Sequence, residues 1–266
     1  MATAGIVLCA DDYGIAPGVG RAIRDLLDRG RLSATSCMVV SPDFAAEGPL
    51  LTPYVGRADI GLHLTLTQGR SLGRLMLAAY TRRLDREATA AEVERQVARF
   101  TQIVGRPPDF IDGHQHVHLL PGVREAVAAA AAAVGAYLRL TDEPMLAIAG
   151  RRISPGKAAF LSLLSRPLAR RARQSGIAHN RGFRGARNFA EPGPFGALFR
   201  RMIAEAPAGC LIMCHPGLID AALSERDPVT QSREAEYDYL SSEEFPADLA
   251  AANLHLARLK DALAMA

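Results

Sequence analysis

Short apolar runs recur along the chain, and several end on, or carry, a carboxylate or a histidine. Ile6–Ala10 stops at Asp11-Asp12, and Asp59–Leu66 carries His63. Phe110–His118 runs out through Asp112-Gly113-His114-Gln115-His116-Val117-His118, and Cys210–Cys214 stops at His215-Pro216-Gly217. Ala34–Val40 and residues 136–140 add two further runs. Such runs read as buried strands, and helix-length segments lie between them. Strands alternating with helices imply parallel βαβ units. At 266 residues a (β/α) barrel, closed or incompletely closed, and an open doubly wound sheet are both compatible. The chemistry-bearing residues all fall at C-terminal strand ends, the face that carries chemistry in barrels. The expectation is therefore an α/β fold, one barrel domain over residues 1–266.

Helix signals fill the gaps. Pro17 suits a first helical position, with Gly30 as the stop. Thr89 followed by Glu92 reads as a capping box for a helix ending near Gly105. Pro121 opens an Ala-rich helix that stops at Gly135, and another helix lies around Pro194–Glu205. Residues 68–86 read as a loop with one helical turn, and 218–236 as a polar loop. The last thirty residues hold one helix and an ambiguous segment around Leu254–Leu259.

Hydrophobic residues make up 49% of the chain, enough for a sizeable core and against disorder. The four cysteines, Cys9, Cys37, Cys210 and Cys214, form no C-x-x-C pair and sit in apolar stretches, so buried free thiols are expected. Net charge is +3, but residues 141–190 hold ten Lys/Arg against two acids. That segment reads as an irregular loop or helical insertion, either simply solvated or facing an anionic partner. Met1–Ala10 is too short for a secretory leader, and no apolar run approaches the roughly 20 residues that span a bilayer. A cytoplasmic location without an integral membrane segment is expected. No nucleic-acid-binding motif is present.

Adjacent carboxylates repel unless they share a cation or a proton. In a strand Asp11 and Asp12 would face opposite ways, but at a strand-to-loop junction both can reach one site. His63 lies inside an apolar run and must satisfy its ring nitrogens. Alternation would put Asp112, His114, His116 and His118 on one face. His114 is nearest the strand proper and can be held most rigidly. Five of the seven histidines fall in these motifs. Asp with two His forms an N,O donor set for a divalent ion such as Zn²⁺ or Mg²⁺, with positions left for water and substrate.

The segments Ala10-Asp11-Asp12-Tyr13-Gly14, Gly61-Leu62-His63-Leu64-Thr65, Asp112–His118 and Cys214-His215-Pro216-Gly217 together resemble the YdjC-like carbohydrate deacetylases. That family includes chitooligosaccharide deacetylases. The resemblance runs to about Phe245 and takes in Ser232-Arg233-Glu234 and Tyr237. It implies a (β/α) barrel with one divalent metal, Mg or Zn, at its top face. By position it implies Asp12, His63 and His114 as metal ligands and Asp11 as catalytic base. The H-P motif falls on His215, a candidate acid for the leaving amine. Asp112 would orient an imidazole from outside the ligand set, with His116 and His118 in support. Gln115 stands where some members have a third consecutive histidine, and Pro246–Ala266 fits the family's last helix and strand loosely, leaving barrel closure open.

The implied reaction is metal-dependent hydrolysis of the N-acetyl group of a sugar or oligosaccharide, releasing acetate. A small-molecule carbohydrate is the expected partner, and a homodimer is compatible with it. Two alternatives compete: a metal-dependent phosphoesterase, and a non-catalytic sugar- or anion-binding protein of the same fold using the basic segment.

Overall fold

A computed structural model describes residues 3–69, 71–189 and 193–264. Arg70, in the expected 68–86 loop, and Ala190, at the end of the basic segment, lie outside the described residues. In chain order the elements are β1 (Ala4–Tyr13), α1 (Pro17–Asp28), β2 (Ala34–Cys37), α2 (Phe44–Glu47), β3 (Asp59–Leu64), α3 (Leu72–Tyr80), α4 (Arg86–Val104), β4 (Phe110–Gly113), α5 (Val123–Val134) and β5 (Tyr137–Leu138). Then come α6 (Met145–Arg151), α7 (Pro155–Gln174), β6 (Phe183–Arg184), α8 (Phe195–Ile203), β7 (Leu211–Cys214), α9 (Ala221–Arg226), α10 (Gln231–Ser241), α11 (Glu244–Ala251), β8 (Leu254–Leu256) and α12 (Leu259–Ala264). No described helix is long and apolar enough to cross a membrane.

The strands pair in parallel in the order β5-β4-β3-β2-β1-β7-β6. They are buried almost throughout because helices cover the outside, as a parallel sheet requires. The ends of that order meet through one bridge, Leu138 to His179, four residues before β6. The Asn180 side chain reinforces it: its oxygen accepts from the Leu140 N–H at 2.8 Å, and its nitrogen donates to the Leu140 carbonyl at 2.9 Å. The result is an irregular (β/α) barrel. β8 pairs with the first residues of β1, from Ala4↔Leu254 to Ile6↔Leu256. β7 pairs further along β1, from Val7 to Ala10. The eighth strand therefore sits at the base of the barrel and leaves the upper rim to the other seven.

Several local expectations are revised. The α4 cap is Asp85, whose carboxylate accepts from the Ala88 N–H at 3.0 Å, while the Thr89 hydroxyl bonds back to the Asp85 carbonyl. Residues 68–86 contain α3. The polar stretch 218–236 folds into α9 and most of α10. The basic segment holds the 20-residue α7. Pro121 precedes its helix, which starts at Val123. The four cysteines are free and buried.

Candidate active site

β1 delivers two adjacent carboxylates to one cavity by breaking its own alternation. Its register with β2 shifts between Ala10 and Tyr13, and Asp12 takes a left-handed φ of 67°. That conformation is strained for a residue with a Cβ. Both aspartates line a cavity of ≈ 540 Å³ at the C-terminal ends of the strands, along with His63, His114 and His215.

His63 comes from β3. Its Nε2 lies 3.3 Å from Asp12 Oδ1 and its Nδ1 2.6 Å from Asp112 Oδ1. The Ser36 hydroxyl, from β2, donates to the same Asp112 oxygen at 2.6 Å. Burial pulls the His63 imidazole toward neutrality, but Asp112 and Asp11 outweigh it and push it up to about 10.

β4 ends at Gly113, and the histidine-rich run forms a tight 3₁₀ segment, His114–Leu119, with Gln115 and His116 at φ of 53° and 58°. Strand alternation therefore does not govern the cluster, and its histidines diverge. His114 Nδ1 lies 3.0 Å from Asp12 Oδ1. His116 lines the cavity and meets the Phe183 ring edge-on at 5.8 Å. His118 is fully buried, with Nε2 3.0 Å from the Arg139 carbonyl oxygen. Burial holds both rings below the ordinary imidazole range, His118 at about 4.

His215 follows β7. Its backbone N–H donates to Glu236 Oε2 at 2.5 Å, and its ring meets Phe189 edge-on at 5.1 Å. Burial, only partly offset by Asp12 and Asp11, lowers it to about 4.

Two buried guanidiniums organise the carboxylates. Arg139 donates through both terminal nitrogens to Asp11 (2.7 and 2.6 Å) and sits 2.6 Å from Asp112 Oδ2. Arg233, from α10, donates to Asp12 Oδ2 at 2.6 Å and also to Asp227. Burial opposes ionisation of Asp12, but Arg233, His114 and His63 hold its carboxyl well below the usual range. Four carboxylates (Asp11, Asp12, Asp112, Asp227) against two guanidiniums leave an excess of two negative charges when His63 is neutral, as a metal ligand must be, and of one when it is protonated.

That excess and the donor set fit a divalent cation. Oδ1 of Asp12, Nε2 of His63 and Nδ1 of His114 converge, the carboxylate oxygen 3.3 and 3.0 Å from the two nitrogens. Ligand atoms about 2.1 Å from one ion stand roughly 3.0–3.4 Å apart in octahedral or tetrahedral geometry. His63 also has its second nitrogen on a carboxylate, the usual support for a ligating imidazole. A second group, Asp11, His63 and Asp112, is equally compact, but Arg139 already occupies both of its carboxylates.

A model of the YdjC-like protein family matches residues 5–251. The chain belongs to that family. It is 29% identical to a chitooligosaccharide deacetylase of Serratia marcescens over 96% of this chain and 98% of that one. A chitooligosaccharide deacetylase of Yersinia pestis is 30% identical over 82% and 83% of the two chains. Among solved structures, a proposed cellobiose-phosphate cleavage protein of Enterococcus faecalis superposes with a TM-score of 0.70 at 20% identity, covering 98% and 99%. A peptidoglycan N-acetylglucosamine deacetylase superposes at 0.53 and 10% identity, covering 97% and 87%. These two likenesses concern the fold.

Within this YdjC-like barrel, six residues singled out by sequence, Asp11, Asp12, His63, His114, His116 and His215, line one cavity. Asp112 touches His63 from behind, whereas His118 lies outside the cavity lining and bonds the Arg139 backbone. Arg139, Arg233, Glu236, Arg187 and Ser36 escaped sequence reasoning as site components. Arg187 donates to Glu236 Oε1 and the Ser232 hydroxyl, each at 2.6 Å. A charged residue within an otherwise apolar run was the available signal for Arg139. For Glu236 and Arg187, the local sequence reads as ordinary solvated surface.

Proposed function

We propose that this chain hydrolyses the N-acetyl group of an acetylated sugar or oligosaccharide, releasing acetate, with one divalent metal held by Asp12, His63 and His114. One observation carries this reading: a three-donor cluster with excess negative charge shares a cavity with a second, separately held carboxylate and a histidine from another strand. The names of the curated relatives support the deacetylase chemistry and the carbohydrate substrate. The donor set suits Zn or Mg.

A metal at those three residues supplies Lewis acidity toward the amide carbonyl and toward water. Asp11 takes the proton of the attacking water, with Arg139 fixing both of its oxygens so that the carboxylate cannot swing onto the cation. Asp112 and Ser36 keep His63 turned with Nε2 toward Asp12. His215 protonates the departing nitrogen. Being neutral at rest, it must gain a proton during the reaction, and the one Asp11 removes from water is a source that balances the step. Arg233 holds Asp12 by Oδ2, so that Oδ1 would remain to hold a metal.

The test is acetate release from N-acetylglucosamine oligomers, with metal content measured on the same samples. Asp11→Asn should retain metal and lose turnover by about 10²–10⁴-fold, and His114→Ala should lose metal. Metal loss in Asp11→Asn together with retention in His114→Ala would overturn the assignment.

A further inference from the structure

The cavity that holds the candidate site has an apolar wall. Leu72 and Met76 from α3, Leu120 from the end of the 3₁₀ segment, and Phe160, Leu161 and Leu164 from α7 all line the same cavity as the carboxylates and histidines. None of these six offers a hydrogen bond from its side chain. A saccharide hydroxyl packed against them would lose its bonds to water without replacement, which is unfavourable. The apolar strip also continues outside: Phe160 is 50% exposed, and Leu163, three residues on and so beside it on the helix, is 51% exposed. An apolar lining that begins at the catalytic residues and emerges as an exposed ridge suits an extended aliphatic group.

Resting on the deacetylase reading, we propose that the substrate is an amidated sugar carrying an aliphatic chain, seated between α3 and α7. The chain could be the aglycone or the acyl group, and both present the same methylenes to the wall. Each buried methylene is worth roughly fourfold in affinity.

The probes are the methyl and octyl β-glycosides of N-acetylglucosamine and N-octanoylglucosamine, used below their micelle concentrations with the metal-loaded enzyme. Calorimetry reads binding whether or not the amide is cleaved, and release of free amine reads the reaction. The octyl glycoside or the octanoyl amide should bind at least ~30-fold more tightly than the methyl glycoside, and whichever does identifies the chain's source. Met76→Ser with Phe160→Ser should bring that ratio below about fivefold. Ratios within twofold for both octyl probes would overturn the proposal, as would a ratio unmoved by the double variant. Tight octyl binding without amine release would count against the deacetylase reading and leave the chain site standing. Amine release from the methyl glycoside with flat ratios would do the reverse.

Discussion

Arg139 heads the largest fully buried side chains among the described residues, and its guanidinium bridges Asp11 and Asp112. It also packs over the Phe110 ring and donates to Cys9 Sγ at 3.0 Å. Removing it takes the guanidinium away from two buried carboxylates, a defect of about 3–5 kcal/mol. Arg139→Ala should therefore lower the unfolding free energy by that amount in urea titration. Arg139→Lys keeps a charge but not the planar fork, so it should fold while turnover falls at least ~tenfold with metal retained. Unchanged turnover in the lysine variant would remove Arg139 from the positioning of Asp11. Behind it, His118 carries an acid-sensitive part of the stability. Its folded value, about 4, lies below the ordinary 6.5 because burial disfavours the charged ring. The unfolded chain binds the proton first as pH falls. The stabilisation is complete above about pH 6.5 and declines toward pH 4, by up to ~3 kcal/mol. Denaturation midpoints at pH 7.5, 5.5 and 4.0 should fall less steeply for His118→Gln than for the parent, and parallel profiles would clear His118.

At the scale of the element, β3 shows how a strand aims a ligand. Gly61 lies two residues before His63, and a Cβ there would stand 2.4 Å from Phe110 Cζ on the neighbouring strand. Phe110 cannot easily yield, because it stacks on Tyr137 at 5.0 Å and lies beneath the Arg139 guanidinium. Gly61→Ala should cost about 1–3 kcal/mol by overpacking and weaken metal retention by displacing β3. A variant with unchanged melting and metal content would show that the sheet absorbs the methyl. Elements of this kind were legible: β1, β3, β7 and α1 stand out as apolar runs or behind Pro17. The elements that escaped bury the wrong sort of residue for such a reading. α7 turns Ser162, Ser165, Ala169 and Ala172 inward, and its two serines accept from the backbone N–H groups of Glu143 and Thr141. α10 buries Arg233 and Glu236, so its inward face looks like solvent-facing charge. Their partners lie far off in sequence, Asp12 221 residues from Arg233, a pairing that no local pattern announces. The histidine cluster was legible as a site but not as a shape, because two left-handed residues replace strand alternation with a tight turn.

For the whole molecule, the open question in the sequence was closure, since the C-terminal region offers a strand too short to complete an eight-stranded ring. The barrel resolves this with β8 at its base and a single side chain at its seam. Asn180 is 2% exposed and spans β5 and the approach to β6, bonding the N–H and the carbonyl of Leu140 and donating to the Gly182 carbonyl at 2.7 Å. An asparagine in a polar stretch carries no local mark of such a role. Its importance comes from where β5 ends: after two paired residues the strand has no further backbone partner on that side, and an amide supplies both a donor and an acceptor. Leu140 adjoins Arg139, so the seam also supports the guanidinium that holds Asp11. Asn180→Ala strips partners from two buried backbone groups of Leu140, each worth about 1–3 kcal/mol when left unsatisfied. The variant should lose at least ~2 kcal/mol in denaturant and show faster hydrogen exchange at the Leu140 amide, with β1 protection retained. Its turnover should fall while bound metal stays, because Asp12 and His63 lie on β1 and β3, away from the seam, and His114 sits in the 3₁₀ segment beyond the end of β4. Loss of metal together with activity would mean that closure tensions the entire ring and not only the side that carries Arg139.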